Sequence, residues 1–147
     1  MLISEATGRK IVSTSTADTV GTVSGFLVDP HNRSIAGVQI KKSKSGNALP
    51  WSSISAFGSD AVTVGSADDI VDIDSEQSLS ALSGKAHHFL GKRVLSTAGA
   101  DLGKVDDIDF DAETGTITSL IVDANTIEGG TLIGIGSYAV VLDHRER

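Results

Sequence analysis

Short apolar runs separated by turn residues make up most of the chain. In the first half they predict strands near residues 9–13, 20–29, 34–41 and 61–65, with a short strand before Pro50. Val, Ile and Thr are frequent in these runs, and they favour strands over helices. The pattern therefore predicts an all-β protein, with no helix before residue 74.

The pattern of apolar, glycine and turn positions in the first forty residues is repeated later in the chain. Residues 90–123 repeat it, and from Gly21, which Gly103 matches, the two copies align at a constant offset. An internal repeat of about 80 residues favours two small domains over one. We therefore predict a first unit over 1–66, a linker over 67–88 and a second unit over 89–147.

The second strand of each copy breaks its period of two. Inward-facing apolar residues stand at odd positions early in the strand (Val23 and Val105) and at even positions later in it. A one-residue slip would turn every later side chain outward unless a bulge repairs it. The slip predicts β-bulges at Ser24-Gly25 and Asp106-Asp107.

The predicted core consists of the inward-facing residues of these strands, with one tryptophan closing the first unit. Its members are Val23, Phe26, Val28, Val38, Ile40, Trp51, Val105, Ile108, Phe110, Leu120 and Val122. For Trp51 the alternative is an exposed binding anchor.

Turn residues mark a hairpin at the same position in each copy. In the first copy Pro30 presets one backbone angle and Asn32 tolerates a left-handed one. In the second copy Gly115 stands where positive φ is required. After the first copy, a cap at Asp74 or Ser75 and two apolar positions predict one short helix with Leu79 and Leu82 on one face.

Three stretches of the second copy resemble the PRC-barrel family. They are Gly-Lys-Arg-Val-Leu at 91–95, Leu-Gly-Lys-Val-Asp-Asp-Ile-Asp-Phe-Asp at 102–111 and Gly-Thr-Ile-Thr-Ser-Leu-Ile-Val at 115–122. Leu-Pro-Trp-Ser-Ser-Ile at 49–54 resembles the second half of the same unit.

This resemblance implies two tandem small antiparallel β-barrels, similar to the cytoplasmic domain of the photosynthetic reaction-centre H subunit and to the C-terminal domain of a ribosome maturation factor. It implies a family that supplies docking surfaces and shares no catalytic residue set, so no active site carries over. The second copy departs from the pattern because it lacks a Pro-Trp pair and is four residues shorter before its last strand.

Charge and composition narrow the choice of partners. A net charge of −7 disfavours direct binding along a nucleic-acid backbone. The chain has no cysteine, which excludes disulfides and thiolate metal sites. No apolar run approaches the ~18 residues of a membrane helix, and residues 1–5 lack a signal-peptide pattern. We expect a cytoplasmic protein, with association to a membrane complex left open, and read the basic residues 41–44 as a solvated hairpin tip.

Four acids alternate along the second copy: Asp107, Asp109, Asp111 and Glu113. The spacing resembles a calcium loop, but Ala112 and Thr118 stand where such a loop needs Gly and a bidentate Glu. Alternation instead places the acids on the outer face of a strand. The alternatives are a solvated face, an acidic face for a partner, and a weak divalent-ion site.

Candidate catalytic groups are sparse. The histidines, His31, His87, His88 and His144, lack metal-ligand or acid–base spacing. The glycine-rich stretch 129–136 lacks the Lys and the helix of a phosphate loop. We expect no enzyme, no cofactor and no metal.

The second copy carries more apolar residues than one small barrel can bury. Ile121 replaces Gln39, and Leu132, Ile133 and Ile135 follow. Apolar residues on both faces of a strand imply a cover, either the other barrel or another chain. These four residues are the predicted interface, and a homodimer is the expected assembly.

The function that these features favour is a non-enzymatic structural or interaction module that docks onto other proteins and self-associates. Two alternatives stand beside it. One is an accessory factor in ribosome maturation or RNA processing, and the other is a module that binds a small ligand or a divalent ion.

Overall fold

The computed structural model describes residues 1–82 and 89–143, in which two six-stranded sheets dominate. The first sheet contains β1 (Lys10–Ser13), β2 (Thr19–Asp29), β3 (Ser34–Lys41), β4 (Ala48–Pro50), β5 (Ile54–Phe57) and β6 (Ala61–Val64). The second contains β7 (Arg93–Ser96), β8 (Asp101–Phe110), β9 (Ile117–Val122), β10 (Asn125–Glu128), β11 (Leu132–Ile135) and β12 (Val140–Leu142). The all-β prediction is confirmed.

The helices of the described residues are all short. The α-helices are α1 (Ile3–Ala6) and α2 (Gln77–Ser80), and single 3-10 turns lie at Trp51–Ser53, Ala67–Asp69, Ile73–Ser75 and Gly129–Thr131. The one-turn helix α1 was not predicted, because four residues are too few to show a helical period. None of the helices described is long and apolar enough to cross a membrane.

Both sheets have one strand order, β4-β3-β2-β1-β6-β5 and β10-β9-β8-β7-β12-β11. All neighbours are antiparallel except β1 with β6 and β7 with β12, which run parallel. The expectation of wholly antiparallel barrels was therefore wrong in this detail. The reason is that β4 and β5 run in the same direction, since the turn between them carries the chain onward instead of reversing it.

Each sheet is barrel-like but not closed. Its edge strands, β4 and β5 in the first unit, are joined by the 3-10 turn Trp51–Ser53 alone. Such a turn spans about 6 Å, whereas a flat sheet of six strands would separate its edges by about 24 Å. Each sheet must therefore curl until its edges approach each other.

The predicted bulges are present. The register of β2 against β3 shifts between Val23 and Gly25, and that of β8 against β9 shifts between Val105 and Asp107. Each shift restores the inward face for the rest of its strand. Among the predicted core residues all are buried except Trp51, which is half-buried.

The β2–β3 and β8–β9 hairpins differ in their left-handed residue. Gly115 has φ +79°, as predicted. In the first unit Arg33, with φ +54°, takes this conformation instead of Asn32. Asn32 is instead held by Asp29, because its backbone N–H and its Nδ2 donate to the Asp29 carboxylate at 3.2 and 2.7 Å.

The four-residue shortening of the second copy lies in one hairpin. The β3–β4 loop has six residues, 42–47, and contains the exposed lysines of the basic tip. The β9–β10 loop has only Asp123 and Ala124, with φ +49° and +67°. Two successive positive φ angles make a tight turn that suits a two-residue hairpin.

Residues 67–82, predicted as the start of a linker, pack on the first unit. Val71 forms an antiparallel bridge with Ala48 of β4. Leu79 on α2 belongs to a second hydrophobic cluster, which also contains Leu27. Leu82 packs against this cluster. The predicted helix is reduced to one turn, and Asp72 caps the preceding 3-10 turn instead of Asp74 or Ser75. Residues 83–88 lie outside the described residues, and the domain boundaries stay a prediction.

The two units share one hydrophobic core. At its centre the Phe110 ring lies 5.5 Å from Phe26, 5.4 Å from Phe57 and 6.2 Å from Trp51. The Trp51 ring also stacks on Phe57 at 5.8 Å. Trp51 therefore does not plug the first barrel alone, since its ring joins a cluster that spans both units.

The hairpins of the two units meet in a symmetric junction. The Ile35 N–H donates to the Gly115 carbonyl at 2.8 Å, and the Ile117 N–H donates to the Arg33 carbonyl at 3.0 Å. Ile35 is the repeat counterpart of Ile117, and Arg33 is that of Gly115. Each unit therefore offers the same positions to the other, as in a twofold dimer.

We predict that Gly115→Ala destabilises the protein more than Gly99→Ala. Both glycines have positive φ, but a Cβ on Gly99 meets nothing within 4 Å. A Cβ on Gly115 would lie 2.9 Å from the Trp51 ring. Backbone strain alone costs about 1–2 kcal/mol, and we expect overpacking to add about 1–3 kcal/mol at Gly115. Urea unfolding, followed by Trp51 fluorescence, gives the free energy of unfolding of both variants. Equal losses of stability would contradict the close contact between Gly115 and the Trp51 ring.

Candidate functional site

The outer face of the second unit carries three of the eight predicted interface and acidic residues, Asp107, Asp109 and Ile121. Strand pairing places Asp107, Ile121 and Thr126 in one row across β8, β9 and β10. The next row contains Asp109, Ser119 and Glu128. We call these six residues the acidic face. Ile121 is half-buried there, while Thr126 and Glu128 are exposed.

The N-terminal residues cover the β8 side of the acidic face. The Met1 ammonium lies 2.6 Å from Asp109 Oδ1. The Ser4 N–H donates to Asp107 Oδ1 at 3.1 Å, and the Ser4 hydroxyl donates to Asp107 Oδ2. Asp107 and Asp109 are consequently half-buried, whereas β9 and β10 keep the open part of the face.

The other two acids of the predicted series lie at the β8–β9 turn. Asp111 Oδ1 accepts the Glu113 N–H at 2.8 Å, and both residues are exposed. The series is therefore divided between a covered strand and a solvated turn. In the described ranges no group of three or more His, Asp or Glu side chains is arranged for a metal ion.

The equivalent face of the first unit is closed by its own chain. Leu27 and Ala48 stand at the counterparts of Asp109 and Thr126. They are buried in a hydrophobic cluster with Ile73 and Leu79. One face is thus apolar and covered, while its counterpart in the second unit is acidic and partly open.

The four predicted interface residues are not on one surface. Leu132 and Ile135 are buried in the shared core, Ile121 is half-buried and Ile133 is 46% exposed. Leu132 and Ile135 both face inward, contrary to the prediction, because the register of β11 against β12 shifts between Leu132 and Gly134. The apolar surplus of β11 is therefore largely consumed by the core.

A shallow apolar groove on the second unit was not predicted. It has a volume of about 430 Å³ and is lined by Leu95, Gly134, Val141 and the exposed Tyr138, among others. Arg93 donates from Nη1 to the Tyr138 hydroxyl at 2.7 Å and lies 5.3 Å above that ring. Little in the sequence indicates this groove, because its lining residue Val141 differs from Thr63, the counterpart in the first unit, by one polar group.

Within residues 1–82 and 89–143, the one histidine, His31, adds no chemical site. His31 is exposed in the β2–β3 turn. His87, His88 and His144 lie outside the described residues.

Comparison with known proteins identifies part of the chain. Residues 84–145 match a protein-family model described as the PRC-barrel domain. This stretch includes all six strands of the second sheet. The first unit lies outside the matched stretch, although its strands follow the same order. A search of curated proteins found no match.

We predict that millimolar calcium leaves the thermal midpoint unchanged. Asp109 is paired with the Met1 ammonium and Asp111 is used in a turn, so their oxygens do not converge on one point. Thermal unfolding with calcium is compared with sodium chloride at equal ionic strength, which controls for charge screening. A calcium-specific rise of the midpoint would revive the divalent-ion alternative.

Proposed function

We propose that the chain is a non-enzymatic docking protein that binds partners on the acidic face, because residues 84–145 match the PRC-barrel domain model. A PRC-barrel domain is in general a protein-interaction or structural module, and the family is in general non-catalytic. We propose three things for this chain: a docking role, the acidic face as the surface that performs it, and the absence of catalytic activity.

One observation carries this proposal, the contrast between the two equivalent outer faces. In the first unit the face is apolar, and residues 67–82 cover it. In the second unit β9 and β10 present half-buried Ile121 beside exposed Thr126 and Glu128. Protein interfaces commonly have an apolar centre and a polar rim, and Ile121 would supply such a centre on this face.

The charge of this face favours a basic partner. Three residues of the face are acidic, Asp107, Asp109 and Glu128, and two further acids, Asp106 and Asp123, lie beside it. Acidic surfaces attract Lys-rich and Arg-rich partners and repel phosphate backbones. The alternative of an RNA-processing factor would therefore act through a protein partner and not through direct contact with RNA.

Self-association remains part of the proposal, with a different surface. Since Leu132 and Ile135 are buried, the apolar groove with Tyr138 is the best apolar patch for a second copy. The groove is small, so we expect a weak dimer. The cytoplasmic location stays a prediction.

The docking proposal is tested by capture from the native lysate with three baits. They are the wild type, Glu128→Lys on the acidic face and Asp60→Lys, which makes the same charge change at an exposed position of the first unit. We expect partners that the wild type and Asp60→Lys capture equally and that Glu128→Lys captures at least tenfold less. Quantitative mass spectrometry measures the ratio. Equal capture by all three baits would contradict docking on this face.

The self-association proposal is tested by sedimentation equilibrium. We expect the wild type to show a concentration-dependent rise toward twice the mass of 15.1 kDa. Tyr138→Glu should abolish the rise, because it places a charge beside the groove. Ile133→Lys, which adds a charge outside the groove lining, serves as the control. A wild type that stays monomeric at every concentration would end this part of the proposal.

A further inference from the structure

The outer edge of β4 is paired with the chain's own residues 67–75, which we call the strap. The Ala48 N–H donates to the Val71 carbonyl at 3.0 Å, and the Val71 N–H donates to the Ala48 carbonyl at 2.9 Å. Asn47 reinforces this pairing, because its Oδ1 accepts the Ile73 N–H at 2.8 Å. The strap therefore pairs with the outer edge of β4 through one isolated antiparallel bridge at Ala48.

The edge of β10 has the same construction without a strap. Thr126 pairs with Ile121 as Ala48 pairs with Gln39, so Thr126 is the counterpart of Ala48. Its N–H and C=O accordingly point away from β9. Asn125 occupies the position of Asn47, and both Asn125 and Thr126 are exposed. Within residues 1–82 and 89–143 no backbone N–H or C=O of another strand pairs with this edge, and the Glu128 carbonyl accepts the Thr131 hydroxyl at 2.6 Å.

We propose that β10 binds an extended segment of a partner protein by strand addition. The segment places a β-branched apolar residue opposite Thr126 and a Lys or Arg two residues before it, opposite Glu128. This inference rests on the proposed docking function and specifies how the partner is held. Backbone hydrogen bonds supply affinity in such complexes, and alternate side chains supply specificity.

The row that contains Thr126 indicates the apolar residue of the segment. In the first unit Val71 lies opposite Ala48 and packs against the cluster of Leu27 and Leu79. A residue opposite Thr126 would lie on the same face as half-buried Ile121. Covering Ile121 would remove apolar surface from water, which favours association.

The next row indicates the basic residue. Glu128 replaces Pro50 of the first unit, and Asp109 replaces Leu27. The strap itself is acidic, with Asp68, Asp69, Asp72 and Asp74. A segment with the strap's apolar pattern and the opposite charge is therefore the best complement to β10.

A second copy of the chain is a poorer occupant. Antiparallel pairing of β10 with β10 around Thr126 would bring two copies of Asp123 and Glu128 to one edge. This accumulation of negative charge, on two chains that each carry a net charge of −7, disfavours the pairing.

The test uses two capped heptapeptides and four proteins. The basic peptide is Lys-Lys-Ile-Val-Lys-Ile-Lys, and the acidic peptide is Asp-Asp-Ile-Val-Asp-Ile-Asp, the sequence of residues 68–74. The proteins are the wild type, Glu128→Lys, Thr126→Pro and Thr126→Val. Proline is tolerated where an edge-strand N–H faces solvent, but it removes the donor that strand addition needs.

We expect the basic peptide to shift the amide NMR signals of residues 125–128 and to bind at least tenfold more tightly than the acidic one. Thr126→Pro should weaken binding at least tenfold without lowering the thermal midpoint, while Thr126→Val should bind as the wild type does. Glu128→Lys should remove or reverse the preference for the basic peptide.

Several results would overturn the proposal. The basic peptide could fail to bind the wild type, or it could bind Thr126→Pro as tightly as the wild type. A basic peptide with Pro in place of Val could also bind the wild type as tightly as the original peptide does. A wild-type dimer that Thr126→Pro dissociates would assign this edge to a second copy. If lysate capture is lost with Glu128→Lys but retained with Thr126→Pro, strand addition fails while the docking function stands.

Discussion

The junction between the two β-hairpins is the constraint on which the rest of the structure depends. Two backbone hydrogen bonds join Ile35 to Gly115 and Ile117 to Arg33, and the Phe110 ring lies behind them against rings of the first unit. A unit of this size buries little apolar surface alone. Sharing one core lets each unit complete the other, so the pair is the stable entity.

The two units have the same strand order but carry different side chains at equivalent positions. The 3-10 turn of the first unit presents Trp51 to Gly115, where a side chain would not fit. On the other side Arg33, the counterpart of Gly115, reaches the Leu132 carbonyl with its Nε at 2.7 Å. Large and small residues thus alternate across the pseudo-twofold axis, which favours pairing of unlike copies within one chain over pairing of identical ones.

The same difference in side chains separates a structural face in the first unit from the proposed binding face in the second. The first unit uses the strap to pair the edge at Ala48 and to cover Leu27, so its outer face contributes to stability. The second unit has Thr126 and Asp109 at these positions, with exposed backbone groups and negative charge. Unpaired edges are a hazard that proteins usually block, and acidic residues around β10 restrict what can pair with it.

The sequence by itself determined five of the six strands of the first sheet, all but β5, together with the two bulges and the second hairpin turn, because each depends on local periodicity or on one residue's backbone preference. It also identified Ile108, Phe110 and their counterparts as core residues. Only the tertiary structure decided that β1 and β6 are parallel, that Met1 lies on Asp109, and that Leu132 and Ile135 both face inward. These features depend on contacts between residues far apart in the chain or on a register shift at a glycine. Hydrophobic periodicity records which side chains avoid water but not which neighbour covers them.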